Sequence, residues 1–432
     1  MSQQLVVAFV SDLSPRAAAR PRSSRFDRDD LESLLSKWSP SVELGQLGAA
    51  TFRSLEDFTP DVLVDRLPAL EAWRAAAEEA GSPERAKKIL EAAGERWPAK
   101  AASSEKEPSA PQTVTESELL DSILGGDGGE EPVRVGPKGT GDEVFDRAID
   151  AIIGDTGVPP ESLDTKKRRE LFLTILAARL RDVLHRPAFE HVESAWRGLF
   201  NVTRTVPTSA GVVMHVVDAG ADDARVLEAL QAIDAMPGSD ALRVVFLDRR
   251  FEDRPEDRSV LERWNDWARG RATTVIAAAG ESLVAATRSP EWQESWQTFE
   301  SVALTWPRAL TRLPYGANSE PVDVCPLEEI EGSEGYTWQS PIYLVARILL
   351  GGYCARLTDP DQTVEAVLEG LPLHARTADS DPPIVGPLEH LVTADEVTRL
   401  ADAGLLPLAG FVNQDRVALA ALRTLGGRPL FG

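Results

Sequence analysis

Three apolar runs constrain this chain more than any other feature: residues 211–217 (Gly-Val-Val-Met-His-Val-Val), 242–247 (Leu-Arg-Val-Val-Phe-Leu) and 273–279 (Thr-Thr-Val-Ile-Ala-Ala-Ala). Helical stretches around 223–234 and 259–268 separate them. A strand that is apolar on both faces must be covered on both, so the alternation predicts an α/β fold with a largely covered sheet. Residues 5–10 (Leu-Val-Val-Ala-Phe-Val) form a fourth such run, ended by a turn at Ser11-Asp12. At roughly 100–200 residues per domain, the 432-residue length allows two to four domains.

Along the chain, Leu31, Leu34, Leu35 and Trp38 share one helical face, with Asp29 or Asp30 placed to cap it. Short strands are expected near 42–44 and 51–52. Pro60 follows Thr59 as a first helical residue follows its cap, and Val62, Leu63, Leu67 and Leu70 make a stripe. A further helix is expected over 83–95. Residues 98–113 carry Pro, Ala, Ser, Lys and Glu with no apolar period and read as a solvated linker. Beyond it, Thr115 and Glu118 form a capping box, and Leu119, Leu120, Ile123 and Leu124 share one face. A lone helix of about ten residues is marginal in water, so this one is either docked on its own domain or offered to a partner groove. A helix is expected to start at Val144, with Ile149, Ile152 and Ile153. Phe172, Ile175, Leu176, Leu180, Val183 and Leu184 predict a second, and Val192, Trp196, Leu199 and Phe200 a third. Helices at 290–300 and 340–357 and strands at 370–375 and 407–412 complete the pattern.

The formal net charge is −23. Nucleic-acid affinity comes from clustered Lys and Arg, so this balance argues against it, and likewise against docking on anionic membrane. Acidic copies repel, so a homo-oligomer would need basic patches or salt to assemble. The run at 5–10 is too short for a membrane span or signal peptide, and Cys325 and Cys354 make no disulfide framework. A cytoplasmic location is expected.

Catalytic and cofactor motifs are missing from the sequence. There is no GxxxxGK[ST], GxGxxG or GxSxG, so no cofactor is implied. His185 and His191 are six residues apart with Pro187 between them, unlike the i, i+4 spacing of a zinc pair, and a structural role is favoured. Cys325 in an acidic loop and Cys354 in an apolar helix read as inert. The stretch from Glu320 to Glu334 holds six acids, with no Lys or Arg between Arg312 and Arg347. Without the EF-hand order it reads as a solvated acidic loop or one that meets a basic surface. Lys166-Lys167-Arg168-Arg169 reads as a solvated basic face. Trp264, Trp267, Trp292, Trp296 and Trp306 read as core ahead of interface.

Several blocks in order resemble the small (TssB) and large (TssC) contractile sheath subunits of bacterial type VI secretion systems, fused in one chain. Residues 5–44, with Val6–Val10, the Ser11–Ser14 turn and Phe26–Leu31, resemble the start of the small subunit, and Phe52–Asp61 with Val64 and Pro68–Leu70 its next motif. Glu118–Leu124 is similar to the large subunit's N-terminal helix, the part recognised in that family by the unfoldase ClpV. His185, Pro187, Phe189, Trp196, Arg197, Gly198 and Leu199 match its HHPxFQxLExxWRGL signature, from which Arg186, Glu190 and Val192 depart. Pro307-Arg308, Arg312–Gly316, Gly370–His374 and Leu405–Leu408 before Phe411 resemble later blocks.

The resemblance implies a multi-domain sheath fold: 1–97 as a small-subunit-like domain, 98–140 as linker with its helix, and 141–432 as a large-subunit-like domain shortened at its C-terminus. It implies a structural, self-assembling protein forming a helical sheath or a closed ring or cage. The partners implied are other copies of itself, a ClpV-type unfoldase at Leu119, Leu120, Ile123 and Leu124, and an inner tube protein, with no catalytic residue, metal or cofactor. One alternative is a non-polymerising adaptor or baseplate-associated module. Another is a hydrolase on the α/β domain that uses His185 or His191.

Overall fold

Burial on both faces places Leu5–Ser11 (β1) inside a nine-stranded sheet, as its unbroken apolar run requires. The computed structural model describes residues 4–14, 21–98, 160–208, 211–218, 223–235, 242–330, 335–358, 366–376 and 384–430. The expected linker, the helix bearing Leu119, Leu120, Ile123 and Leu124, and the helix starting at Val144 lie outside these residues. The other strands are β2 (Arg22–Phe26), β3 (Ser41–Glu43), β4 (Ala49–Thr51), β5 (Val212–Asp218), β6 (Leu242–Phe251), β7 (Thr274–Ala279) and β8 (Val302–Trp306). They continue with β9 (Ala309–Leu310), β10 (Trp338–Gln339), β11 (Val367–Leu368), β12 (His374–Arg376), β13 (Ile384–Gly386), β14 (Leu406–Gly410) and β15 (Val417–Leu419).

The large sheet runs β11-β15-β14-β8-β7-β6-β1-β5-β2. Its six central strands pair parallel from β5 through β1, β6, β7 and β8 to β14. Antiparallel strands flank them on both sides, β2 on β5 at one edge and β15 on β14 with β11 beyond it at the other. The fold is therefore mixed α/β, as the alternation predicts. The strands at 5–26 lie in one sheet with strands from 212 onward, so the two ends of the chain share a core.

The chain divides into two units, residues 1–67 with 183–432, and residues 68–182. In the first, alternate β1 residues serve opposite faces. Val6, Ala8 and Val10 join Val226, Leu230 and Trp264 from helices Asp223–Asp234 and Pro255–Arg269. On the other face Phe9 stacks on Phe246 with ring centroids 4.9 Å apart, and Tyr343 of the helix Ile342–Thr358 lies parallel at 6.5 Å. Trp264, Trp267, Trp292, Trp296 and Trp306 are all buried. They are core, as expected.

In the second unit, helices Pro68–Glu78 and Pro83–Ala92 accompany Thr165–Leu184, whose last two residues belong to the first unit. Phe172 packs against Trp73 and Trp97 at 5.9 and 5.6 Å, and Glu95 accepts from the Trp73 indole and pairs with Arg179. Arg168 corrects the expectation of a basic face at 166–169. It is 4% exposed and donates to the carbonyls of Ala80, Pro160, Glu161 and Leu163, leaving Lys166, Lys167 and Arg169 exposed. A guanidinium offers five donors, enough to close several loose carbonyls at once.

Four of the departures from the expectation have a plain physical reason. The stripe after Pro60 is broken at Leu67, which is extended because Pro68 follows it, giving helices Pro60–Arg66 and Pro68–Glu78. The stretch 290–300 holds only the short helix Trp292–Trp296, preceded by Glu281–Ala286. Strand β8 is too short for periodicity to identify. Strand β2 reads Arg-Ser-Ser-Arg-Phe, and its burial alternates because it pairs along one edge.

Candidate functional site

The signature His185–Leu199 opens the helix Pro187–Thr205, with Pro187 in its first turn, where a missing N–H costs nothing. Phe189 points inward and meets Phe52 and Phe58 edge-on at 5.7 and 5.8 Å. Trp196 meets Trp38 edge-on at 6.1 Å, and Leu199 is buried. A Cβ on Gly198 would sit 2.5 Å from the Tyr343 ring, so only glycine lets that aromatic lie against the helix. His185 stands beside Glu190, Nδ1 to Oε1 at 3.2 Å, with its Nε2 3.4 Å from the Glu329 carbonyl.

In the second turn of this helix sits Glu193, fully buried. Its Oε1 accepts from Arg197 Nε at 2.9 Å and Arg312 Nε at 2.8 Å. Arg312 turns its other nitrogens to Glu329, at 2.7 and 3.0 Å, and lies 4.2 Å above the Tyr315 ring. The Tyr315 amide also donates to Glu329, at 2.7 Å. Burial alone would raise the Glu193 carboxyl, yet Arg312 and Arg197 hold it below the ordinary range. Burial opposes the charge on Arg312 as well, and Glu193 and Glu329 keep it protonated well above the usual range. Two carboxylates and two guanidiniums thus neutralise each other inside the core.

Within 320–334, Glu320, Asp323 and Glu328 are exposed as a solvated loop requires, residues 331–334 lie outside the described residues, and the reading is corrected at Glu329 alone. Glu329 is 1% exposed and serves as Arg312's counter-charge. Glu328 accepts from the Ala317 amide. The sequence signal was present as the bare interval between Arg312 and Arg347, but spacing does not say which acid meets which base.

His191 reaches a second cluster at the carboxyl ends of β1, β5 and β6, where open α/β sheets commonly bind ligands. Its Nε2 stands 3.5 Å from Ser11 Oγ. That hydroxyl, however, donates to Asp248 at 2.9 Å, and Tyr343 donates to the same carboxylate at 2.8 Å. Ser11 is 3% exposed and gives its proton to Asp248 rather than to His191, so the trio is not arranged as a nucleophile with its base. His185 and His191 are not brought together on a common ligand. Cys325 is buried, and burial together with nearby Asp61 pushes its thiol up to about 12; burial also raises Cys354.

Among the described residues, Glu281, Glu389 and His390 have ligand atoms within 4.8 Å of one another. Glu281 accepts from His390 and from the Trp306 indole, which hold its carboxyl at about 2, and Glu389 pairs with Arg308. These carboxylates are engaged by protein donors, the opposite of what an ion needs.

Residues 281–426 match the VipB family, described as EvpB/VC_A0108, tail sheath N-terminal domain. The chain is also 24% identical over 298 residues to the type VI secretion system sheath protein TssC1 of Pseudomonas aeruginosa PAO1, a match covering 58% of this chain and 59% of that relative. The chain thus spans less than two thirds of the relative's length and resembles a large sheath subunit over the matched part. Among the described residues, no helix is long and apolar enough to cross a membrane.

Proposed function

We propose that the chain is a structural, self-assembling sheath-like protein of a type VI secretion system, combining small-subunit-like residues 1–97 with large-subunit-like residues 141–432. The observation that carries this is the match of residues 281–426 to a tail sheath domain. The geometry agrees with it in kind. The signature at His185–Leu199 makes buried packing and a neutralised ion cluster rather than an open reactive site. Insertion of β1 between β5 and β6 supports the fused reading, since a partner segment in the middle of a sheet is needed in a fixed ratio. In this reading the face of Leu119, Leu120, Ile123 and Leu124 serves a ClpV-type unfoldase, an inner tube protein is a further partner, and the assembly works in the cytoplasm.

Negative-stain microscopy of the purified chain tests the proposal. Filaments, rings or closed cages are expected. Particles that stay monomeric at high concentration and across salt would overturn it, and a small defined oligomer would favour the adaptor reading instead.

A further inference from the structure

The helix Pro187–Thr205 ends beside a cleft of about 740 Å³, with Arg204, Thr205, Thr311, Arg312, Arg347 and Asp415 in its wall. Gly351 admits the helix Ile342–Thr358 closely here, since a Cβ on it would lie 3.1 Å from the Thr205 methyl. That approach sets Arg347 Nε 3.3 Å from Thr205 Oγ1 and brings its guanidinium near Arg204.

The cations of this wall are not equivalent. Arg312 is neutralised by Glu193 and Glu329. Among the described residues, neither Arg204 nor Arg347 has a carboxylate within ion-pair distance. Arg204 rests 5.7 Å from the Phe200 ring. Burial and Arg204 both work against the charge on Arg347, so two like charges are held together at a cost the fold does not offset locally. Asp415 accepts from the Gly370 amide at 3.1 Å. The independent observation is Thr311: it is 6% exposed, lines the cleft, and its hydroxyl has no hydrogen-bond partner among the described residues. A buried hydroxyl and two guanidiniums without a carboxylate, lining one cleft, are the arrangement that a phosphate or carboxylate oxygen set completes.

We propose that this cleft is an oxyanion site, taking a phosphate or carboxylate group on Arg204, Arg347 and the Thr311 hydroxyl. The inference stands on these residues alone and does not depend on the self-assembly reading. The shared ligand chemistry has two sources, a free small anion or acidic side chains of a protein segment.

The test is calorimetric titration of the full chain at low ionic strength with inorganic phosphate and, separately, with a hexaglutamate peptide. Binding of at least one probe is expected, weakened at least about tenfold in Arg347→Gln and in Arg204→Gln. Tighter binding of phosphate marks a free anion, and tighter binding of the peptide marks an acidic segment. Thermal unfolding without anion supplies a second readout: Arg347→Gln should be at least as stable as the parent, because it removes like-charge repulsion. No binding of either probe up to about 10 mM, unchanged binding in both variants, or a destabilised Arg347→Gln would overturn the proposal.

Discussion

Arg312 lies between two carboxylates that the core would not otherwise tolerate. Replacing it by Ala leaves Glu193, at 0% exposure, and Glu329 short of their counter-charge, and removing one member of a buried pair costs about 3–5 kcal/mol. Urea unfolding of Arg312→Ala should show a loss of that order; a loss below about 1 kcal/mol would mean the cluster behaves as a surface pair. The acid dependence has a definite sign. The Glu193 carboxyl is lowered in the folded chain, so its stabilisation is present above the ordinary carboxylate value of 4.5 and disappears as pH falls through the folded value. Glu193→Gln should flatten the loss of stability on acidification. The residues of this cluster were visible as letters in the sequence, and Arg312 stood in a recognisable block. Their partnership was not visible, because Glu193, Arg312 and Glu329 meet only after three segments pack.

At the scale of elements, periodicity carried far. The strands at β1, β5, β6 and β7 and the helices between them are apolar for the reason the sequence suggests: both sheet faces are covered. It failed for β2, which is polar and defined by its neighbour, and for β8, whose five residues are too few to show a period. Strand β1 carries a direct prediction. Phe9 is 1% exposed and stacks on Phe246, so Phe9→Ala should cost about 3–5 kcal/mol and lower the unfolding midpoint of the sheet as a whole. If near-ultraviolet circular dichroism shows the 212–279 strands unfolding separately from β1, the shared core is not cooperative.

For the whole molecule, the charge of −23 sets the terms of association. The basic face expected at 166–169, which could meet that charge, is smaller than its letters indicate, since Arg168 is consumed inside the second unit. Repulsion between copies reaches about 30 Å at 0.01 M salt and about 10 Å at 0.1 M. Light scattering should therefore rise between those concentrations as copies come together. Scattering that falls monotonically with salt would instead assign assembly to attraction between opposite charges.

Sequence alone determined the α/β class and the covered sheet and favoured a core place for the tryptophans, because each follows from which side chains avoid water at a fixed period. Tertiary structure alone decided that β1 sits between β5 and β6, that Glu329 and Arg168 are interior, and that Arg204, Arg347 and Thr311 face one cleft. Those are pairings between distant segments, and neither the choice of partner nor the desolvation that gives a charge its strength is written in local spacing.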